Sequence, residues 1–175
     1  MMIFITHYNS PLGKILLSAT ETHLTGLWFE GIKQLEILEC ADLVEIDLAA
    51  SKLKTCENKI LFDTKIWLDE YFAGKKSVIN IPMDFHGTEF PKEVWNILCR
   101  IPYGKTLTYG EIAKEMAKKH GINKMSAQAV GNAVGKNPIS IICPCHRVVG
   151  SDGSMTGYGW GIDLKVKLLE LEKKG

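Results

Sequence analysis

Apolar residues change their spacing along this chain, and the change divides it. Three short runs at residues 3–8, 14–19 and 24–29 are separated by Pro11, Gly13 and a turn at Thr20, Glu21 and Thr22, which predicts an antiparallel meander. The pattern is ambiguous from there to residue 58. Ile60, Leu61, Thr64, Trp67, Leu68 and Tyr71 then recur at helical spacing, with Gly74 as a C-terminal stop. Val78, Ile79 and Ile81 return as a strand. The Trp, Tyr and Leu residues of this part read as core, and it carries no legible chemistry.

From residue 86 onward the pattern is mainly helical. Thr88 caps a helix that tolerates Pro91 in its first turn and sets Val94, Trp95, Leu98 and Ile101 on one face. Thr108 and Glu111 form a capping box that opens a second helix through Ile112, Ala113 and Met116. After a loop with His120 and Gly121, Ser126 caps a third helix over 127–135, which stops at Asn137 and Pro138. Asp163 caps a last helix carrying Leu164, Leu168 and Leu171. The second and third of these helices predict a helix-turn-helix. The third is unusual for a groove reader: Ala127, Ala129, Gly131 and Ala133 dominate it, and no Lys or Arg precedes Lys136. Small residues suit either tight packing within the domain or close approach to another surface. The fold class is therefore α+β. A small N-terminal α/β domain with an antiparallel sheet spans 1–85, and a mainly helical domain with a helix-turn-helix spans 86–175.

Composition narrows the function classes. The 175 residues are 46% apolar, enough for packed cores, yet no run approaches the roughly 20 apolar residues that cross a bilayer. The N-terminus lacks a basic segment and an apolar signal core, so the expected location is the cytoplasm. Cys40, Cys56, Cys99, Cys143 and Cys145 are an odd number, which favours a free thiol over a disulfide framework. No Cys/His spacing suits a structural metal, and no cofactor is expected. The net charge of +1 conceals a division: residues 1–85 hold 8 Lys+Arg against 12 Asp+Glu, and residues 86–175 hold 13 against 8. A basic module suits a phosphate-backbone partner with strongly salt-dependent affinity.

The run Pro144, Cys145, His146, Arg147, Val148 holds the candidate chemistry. An imidazole next to a thiol raises its thiolate fraction, and the thiolate is the nucleophile. Adjacent side chains of an extended segment point apart, so proton transfer needs a sharp turn or a bridging water. A bare Cys-His pair is more often a buried, inert cysteine beside a surface histidine.

The surroundings reverse that balance. Residues 137–150 resemble, almost position by position, the active-site segment of the O6-alkylguanine-DNA alkyltransferases. The resemblance extends to Ile101, Pro102, Tyr103, Gly104 and the 108–113 segment, then to Thr156, Gly157, Tyr158, Lys165 and 168–172. More loosely, 10–13 and 24–29 resemble the start of the family's N-terminal domain. It implies irreversible, stoichiometric transfer of an alkyl group, typically methyl, from O6-alkylguanine and also O4-alkylthymine in DNA to the protein's own cysteine. By this resemblance Cys145 is the acceptor, His146 takes its proton through a water, and Glu172 orients the imidazole. Asn137 braces the active-site turn. Tyr109 helps rotate the nucleotide and donates to the base, the Val148 carbonyl accepts from the guanine amino group, and Tyr158 covers the base. Lys165 either eases negative charge on the leaving guanine or is merely solvated, and Arg147 reads as an ion-pair partner. Ala127, Gln128, Ala129 and Gly131 would lie in the minor groove of double-stranded DNA, where a smooth helix face fits. The protein would act as a monomer.

Two positions depart from the family pattern. Gln128 stands where many members place an arginine finger, and Trp160 stands in the base-covering loop where small residues are frequent, narrowing the pocket against bulky alkyl groups. The competing readings are a non-catalytic helix-turn-helix sensor of alkylated DNA and a cysteine hydrolase. The regulatory members carry a zinc-binding domain for which this chain lacks the cysteine spacing, and no separate Cys-His-Asn arrangement supports the hydrolase.

Overall fold

The structure, a computed structural model, describes residues 2–30, 42–46 and 58–175. It forms two compact units, Met1–Phe85 and His86–Gly175. Cys40, Cys56 and most of the stretch of ambiguous pattern lie outside the described residues.

In the first unit, β1 (Met2–Ser10), β2 (Gly13–Ala19) and β3 (Leu24–Phe29) form the expected antiparallel meander. A short strand β4 (Asp42–Glu45) joins the other edge of β1 in parallel, giving the order β3-β2-β1-β4. Its four residues are too few to show alternation, so the mixed character of the sheet was not legible. Helix α1 (Lys59–Phe72) begins where Asn58 caps Leu61 and ends before Gly74, and it buries Leu61, Thr64, Trp67, Leu68 and Tyr71. Tyr8 of β1 donates to Asp69 of α1 at 2.9 Å, tying helix to sheet. The expected strand at 78–81 does not form. Val78 is exposed, and pairing with β3 occurs instead as a single parallel bridge between Leu24 and Met83. Pro82 explains the interruption, because it contributes only its carbonyl, to Leu24 N–H at 2.8 Å.

In the second unit, α2 (Glu89–Leu98) buries Val94, Trp95, Ile97 and Leu98. Thr88 stands at its N-cap in extended conformation, without the expected side-chain bond, and Ile101 is buried beyond the helix end. The capping box of α3 (Tyr109–Lys119) is complete: Thr108 Oγ1 accepts from Glu111 N–H at 3.1 Å, and Glu111 Oε2 accepts from Thr108 N–H at 2.7 Å. Ser126 caps α4 (Ala127–Gly135), so α3, the intervening turn and α4 form the helix-turn-helix. Trp95 Nε1 donates to the Ala133 carbonyl at 2.8 Å and locks α2 against α4. Helix α5 (Ile162–Lys174) starts from Gly161; Asp163 lies in its first turn rather than at the cap, still favourably placed against the helix's positive end. Each fully buried Leu or Ile in these cores, such as Leu98, Ile112 and Ile139, stabilises its unit by about 1.5–3 kcal/mol.

Two short strands position the candidate site. β5 (Leu107–Thr108) pairs in parallel with β6 (Val148–Val149), fixing the start of α3 beside the chain that leaves Cys145.

Candidate active site

The segment between α4 and β6 is built from consecutive tight turns. Ile142 N–H donates to the Ser140 carbonyl at 2.7 Å around Ile141, whose φ of 66° is rare for a β-branched residue. Cys145 N–H donates to the Cys143 carbonyl at 2.9 Å around Pro144 (φ −84°, ψ 68°), an inverse γ-turn that proline's fixed φ suits. A single 3₁₀ turn then spans Cys145–Arg147. The backbone therefore turns sharply at the Cys-His pair.

Asn137 holds this path together. Its Nδ2 donates to the Cys143 carbonyl at 2.7 Å and to the Ile139 carbonyl at 3.3 Å, and its Oδ1 accepts from Ile139 N–H at 3.0 Å. Its side chain also favours the ionised form of the Cys145 sulfur. Strain at Ile141 costs on the order of 1–3 kcal/mol and persists because these bonds over-determine the turn.

The residues inferred from the sequence converge. Cys145 is 5% exposed, while His146 and Lys165 are fully buried. His146 Nε2 lies 2.7 Å from Glu172 Oε1. Arg147 Nε and Nη2 both donate to the same carboxylate at 2.9 Å, and its Nη1 donates to the Ile101 carbonyl at 2.6 Å. Glu172 also accepts from Gly104 N–H at 3.1 Å. Gly104 has φ of 70°, and a Cβ there would stand 3.1 Å from the Glu172 carbonyl, so glycine is needed. Lys165 is not solvated: Nζ donates to the carbonyls of Val148 at 2.5 Å and Thr156 at 2.9 Å. Tyr109 reaches the same loop, donating to the Thr156 carbonyl at 3.1 Å. The Tyr158 hydroxyl is buried with no hydrogen-bond partner among the described residues. Trp160 Nε1 is anchored on Ser140 Oγ at 2.9 Å.

Electrostatics assign the resting protonation states. Burial opposes ionisation of Glu172, but hydrogen bonds from His146 and Arg147, together with their charges, hold it at about 2. Burial lowers the His146 pKa more than Glu172 raises it, so the ring is neutral. With Nε2 facing a carboxylate, the proton of that neutral ring sits on Nε2 and the lone pair on Nδ1. Burial raises the Cys145 thiol, ahead of the opposing effects of Asn137 and Lys165. A thiol depressed by a His146–Glu172 relay, the natural expectation from the motif, is therefore not what the resting site holds. Cys145 and His146 rest as a neutral pair because both are buried.

The groove-facing candidates lie along α4, which borders this cluster at Tyr109. Ala127 and Gln128 are exposed, and Ala129 and Gly131 are half-buried. Gly131 lies against the Tyr109 ring, where a Cβ would meet it at 3.8 Å. Sequence reasoning missed three contributors: Gly104, the Ser140 anchor of Trp160, and Tyr103, whose ring lies 5.7 Å from the Arg147 guanidinium carbon. Gly104 and Tyr103 stood in the quoted 101–104 motif, but nothing there assigned them to Glu172 and Arg147.

Comparison with known proteins agrees with this assembly. Residues 89–174 match the family described as 6-O-methylguanine DNA methyltransferase, DNA binding domain, and residues 3–85 match its ribonuclease-like domain. A methylated-DNA–protein-cysteine methyltransferase of Methanosarcina barkeri is 42% identical over 94% of each chain. One of Mycobacterium leprae is 38% identical over 98% of this chain and 93% of its own. The crystal structure of Mycobacterium tuberculosis OGT in complex with DNA superposes with a TM-score of 0.78 at 37% identity, covering 98% of this chain and 93% of that one. With both of its units matched and full-length relatives at this identity, the chain belongs to the 6-O-methylguanine DNA methyltransferase family.

Proposed function

We propose that this protein repairs DNA by irreversible transfer of an alkyl group, typically methyl, from O6-alkylguanine to Cys145, with O4-alkylthymine as a further substrate. The observation that carries the reading is the convergence of a buried thiol, a neutral imidazole held by an ionised carboxylate, and a buried tyrosine hydroxyl that no described residue engages. The alkylated oxygen lies inside the base stack, so the nucleotide must be flipped out to meet a buried thiol.

With the base in place, His146 Nδ1 takes the Cys145 proton through a water, and the imidazolium is stabilised by Glu172. The thiolate attacks the alkyl carbon; the S–C bond forms as the C–O6 bond breaks, leaving the electron pair on guanine. The Tyr158 hydroxyl is the donor for that oxygen. Lys165, a buried cation, lowers the cost of the developing negative charge while it holds the Val148 carbonyl, which accepts from the guanine amino group. Tyr109 rotates the nucleotide and donates to the base. The small exposed face of α4 enters the minor groove of double-stranded DNA, and Lys114, Lys118 and Lys124, which line an adjoining hollow of about 520 Å³, face the phosphates. Of the two units, 86–175 binds DNA and accepts the alkyl group. The protein acts as a monomer in the cytoplasm, without metal or cofactor.

Incubation with excess O6-methylguanine DNA should add one methyl to Cys145 and then stop at about one equivalent, because a thioether has no easy leaving path. Intact mass and peptide mapping read this directly. Sustained turnover would exclude a suicide acceptor, and an unmodified Cys145 with tight DNA binding would favour the damage-sensor reading. Cys145→Ala should lose transfer and keep DNA binding.

A further inference from the structure

Two thiols that alkyl transfer does not use meet beneath the acceptor turn. Cys99, half-buried, is the C-cap residue of α2, and Cys143, fully buried, lies two residues before Cys145. The Trp95 carbonyl gathers them, accepting from Cys99 N–H at 3.0 Å and from Cys143 Sγ at 3.6 Å. The two thiols also lie close enough for each to influence the other's ionisation. Both are free thiols, and no His/Cys/Asp/Glu cluster among the described residues could hold a metal. The pair is unequal. Cys143 pushes the Cys99 thiol down against the opposing effect of burial, with help from the Arg147 charge, whereas burial pushes Cys143 up. Cys99 is thus the more exposed member and the one that ionises more readily.

We propose that Cys99 and Cys143 are a modification site: a dithiol that a hydroperoxide oxidises to an intramolecular disulfide, which alters the acceptor turn. The Cys99 thiolate attacks a peroxide oxygen; an S–O bond forms, the O–O bond breaks, and the departing oxygen takes a proton, leaving a sulfenic acid. The Cys143 sulfur then attacks the Cys99 sulfur. The S–S bond forms, the S–O bond breaks, and water leaves with the Cys143 proton. Two thiols lose two electrons in all, and the peroxide gains them.

Closure must move Cys143, because two free thiols stand well beyond the roughly 2.05 Å of a disulfide. Cys143 is tied to its neighbours. Its carbonyl accepts from Asn137 Nδ2 at 2.7 Å and from Cys145 N–H at 2.9 Å, and its N–H donates to Ile139 at 3.1 Å. The displacement therefore reaches Cys145 directly. The linkage itself is independent of the function proposed above; its effect on transfer rests on that reading.

The test uses the full chain. Reduced Cys145→Ala protein is treated with hydrogen peroxide, digested without reductant and mapped by mass. The expected product is a peptide joining Cys99 to Cys143, with an intact mass lower by two hydrogens. Recovery of the two cysteines separately, unmodified or as sulfinic acids, overturns the proposal. In a second arm, peroxide-treated protein carrying Cys145 should accept methyl several-fold more slowly and recover with dithiothreitol, whereas Cys99→Ser, equal to the parent before treatment, should resist the loss. Unchanged transfer by linked protein overturns the effect on the turn. Failure of the reduced parent to accept methyl at all would instead overturn the acceptor reading, leaving the linkage result intact.

Discussion

Glu172 serves four donor groups from three residues, His146, Arg147 and Gly104, and this makes it a structural residue as much as a positioning one. Its carboxyl falls from 4.5 to about 2 on folding. A folded pKa below the unfolded one means that the stabilisation is fully present above about pH 4.5 and is lost as pH falls toward 2. Glu172→Gln strands the buried Arg147 charge, a loss of about 3–5 kcal/mol for buried pairs broken on one side. The stability gap between parent and variant, measured by denaturant unfolding, should therefore be widest near neutrality and shrink across that acid window. A pH-independent gap would mean that the carboxylate is not the source. Cys145 gives the complementary reading. Because burial raises its thiol, reaction of the free protein with a small electrophile should rise mainly above pH 9, the ordinary thiol value. A plateau reached below neutrality would instead require a resting thiolate–imidazolium pair.

At the scale of elements, α4 carries the testable departure. Gln128 is exposed on the smooth face, so an arginine fits there without disturbing the core. A charge-assisted contact to the duplex contributes about 1.5–3 kcal/mol and a neutral one about 0.5–1.5 kcal/mol. Flipping costs a few kcal/mol and is cheapest at mismatches or in single strands. Gln128→Arg should therefore speed transfer most on fully paired duplex, narrowing the mismatch advantage, and should make binding more salt-sensitive. Equal duplex-to-mismatch ratios in the two proteins would show that this position does not limit flipping. What was legible in the sequence at this scale follows from local chemistry. The Thr108–Glu111 box, the Ser126 cap and the periodic apolar faces of α1 and α3 each need only neighbouring residues to be recognised. The Asp163 assignment missed because the left-handed Gly161 (φ 93°) starts α5 earlier. Parallel pairing of β4, and the turn strained at Ile141, depend on partners distant in sequence or on a burial that no pattern displays. The motif at 144–148 singled out Cys145 as the candidate, yet its thiol responds to burial, Asn137 and Lys165, which only the folded unit brings together.

For the molecule as a whole, charge governs the encounter with DNA and packing governs the reacted state. The second unit holds the excess of basic residues, 13 against 8, so DNA affinity should fall steeply with salt while methyl acceptance from a free O6-alkylated base stays nearly constant. The product state has a different physical problem. Cys145 is only 5% exposed and is enclosed by turns that Asn137 pins in place. A methyl added to that sulfur must displace packed neighbours, and overpacking of a filled interior costs about 1–3 kcal/mol. Each kcal/mol lowers the melting temperature of a 60–100-residue unit by about 4–8 °C. Stoichiometrically methylated protein should therefore melt several degrees below the unreacted form. Cys145→Ala, which accepts nothing, should show no shift after the same incubation. A methylated protein melting at or above the parent temperature would mean that the turn holds spare volume for the product, contrary to the tight hydrogen-bonded path from Asn137 to Cys145.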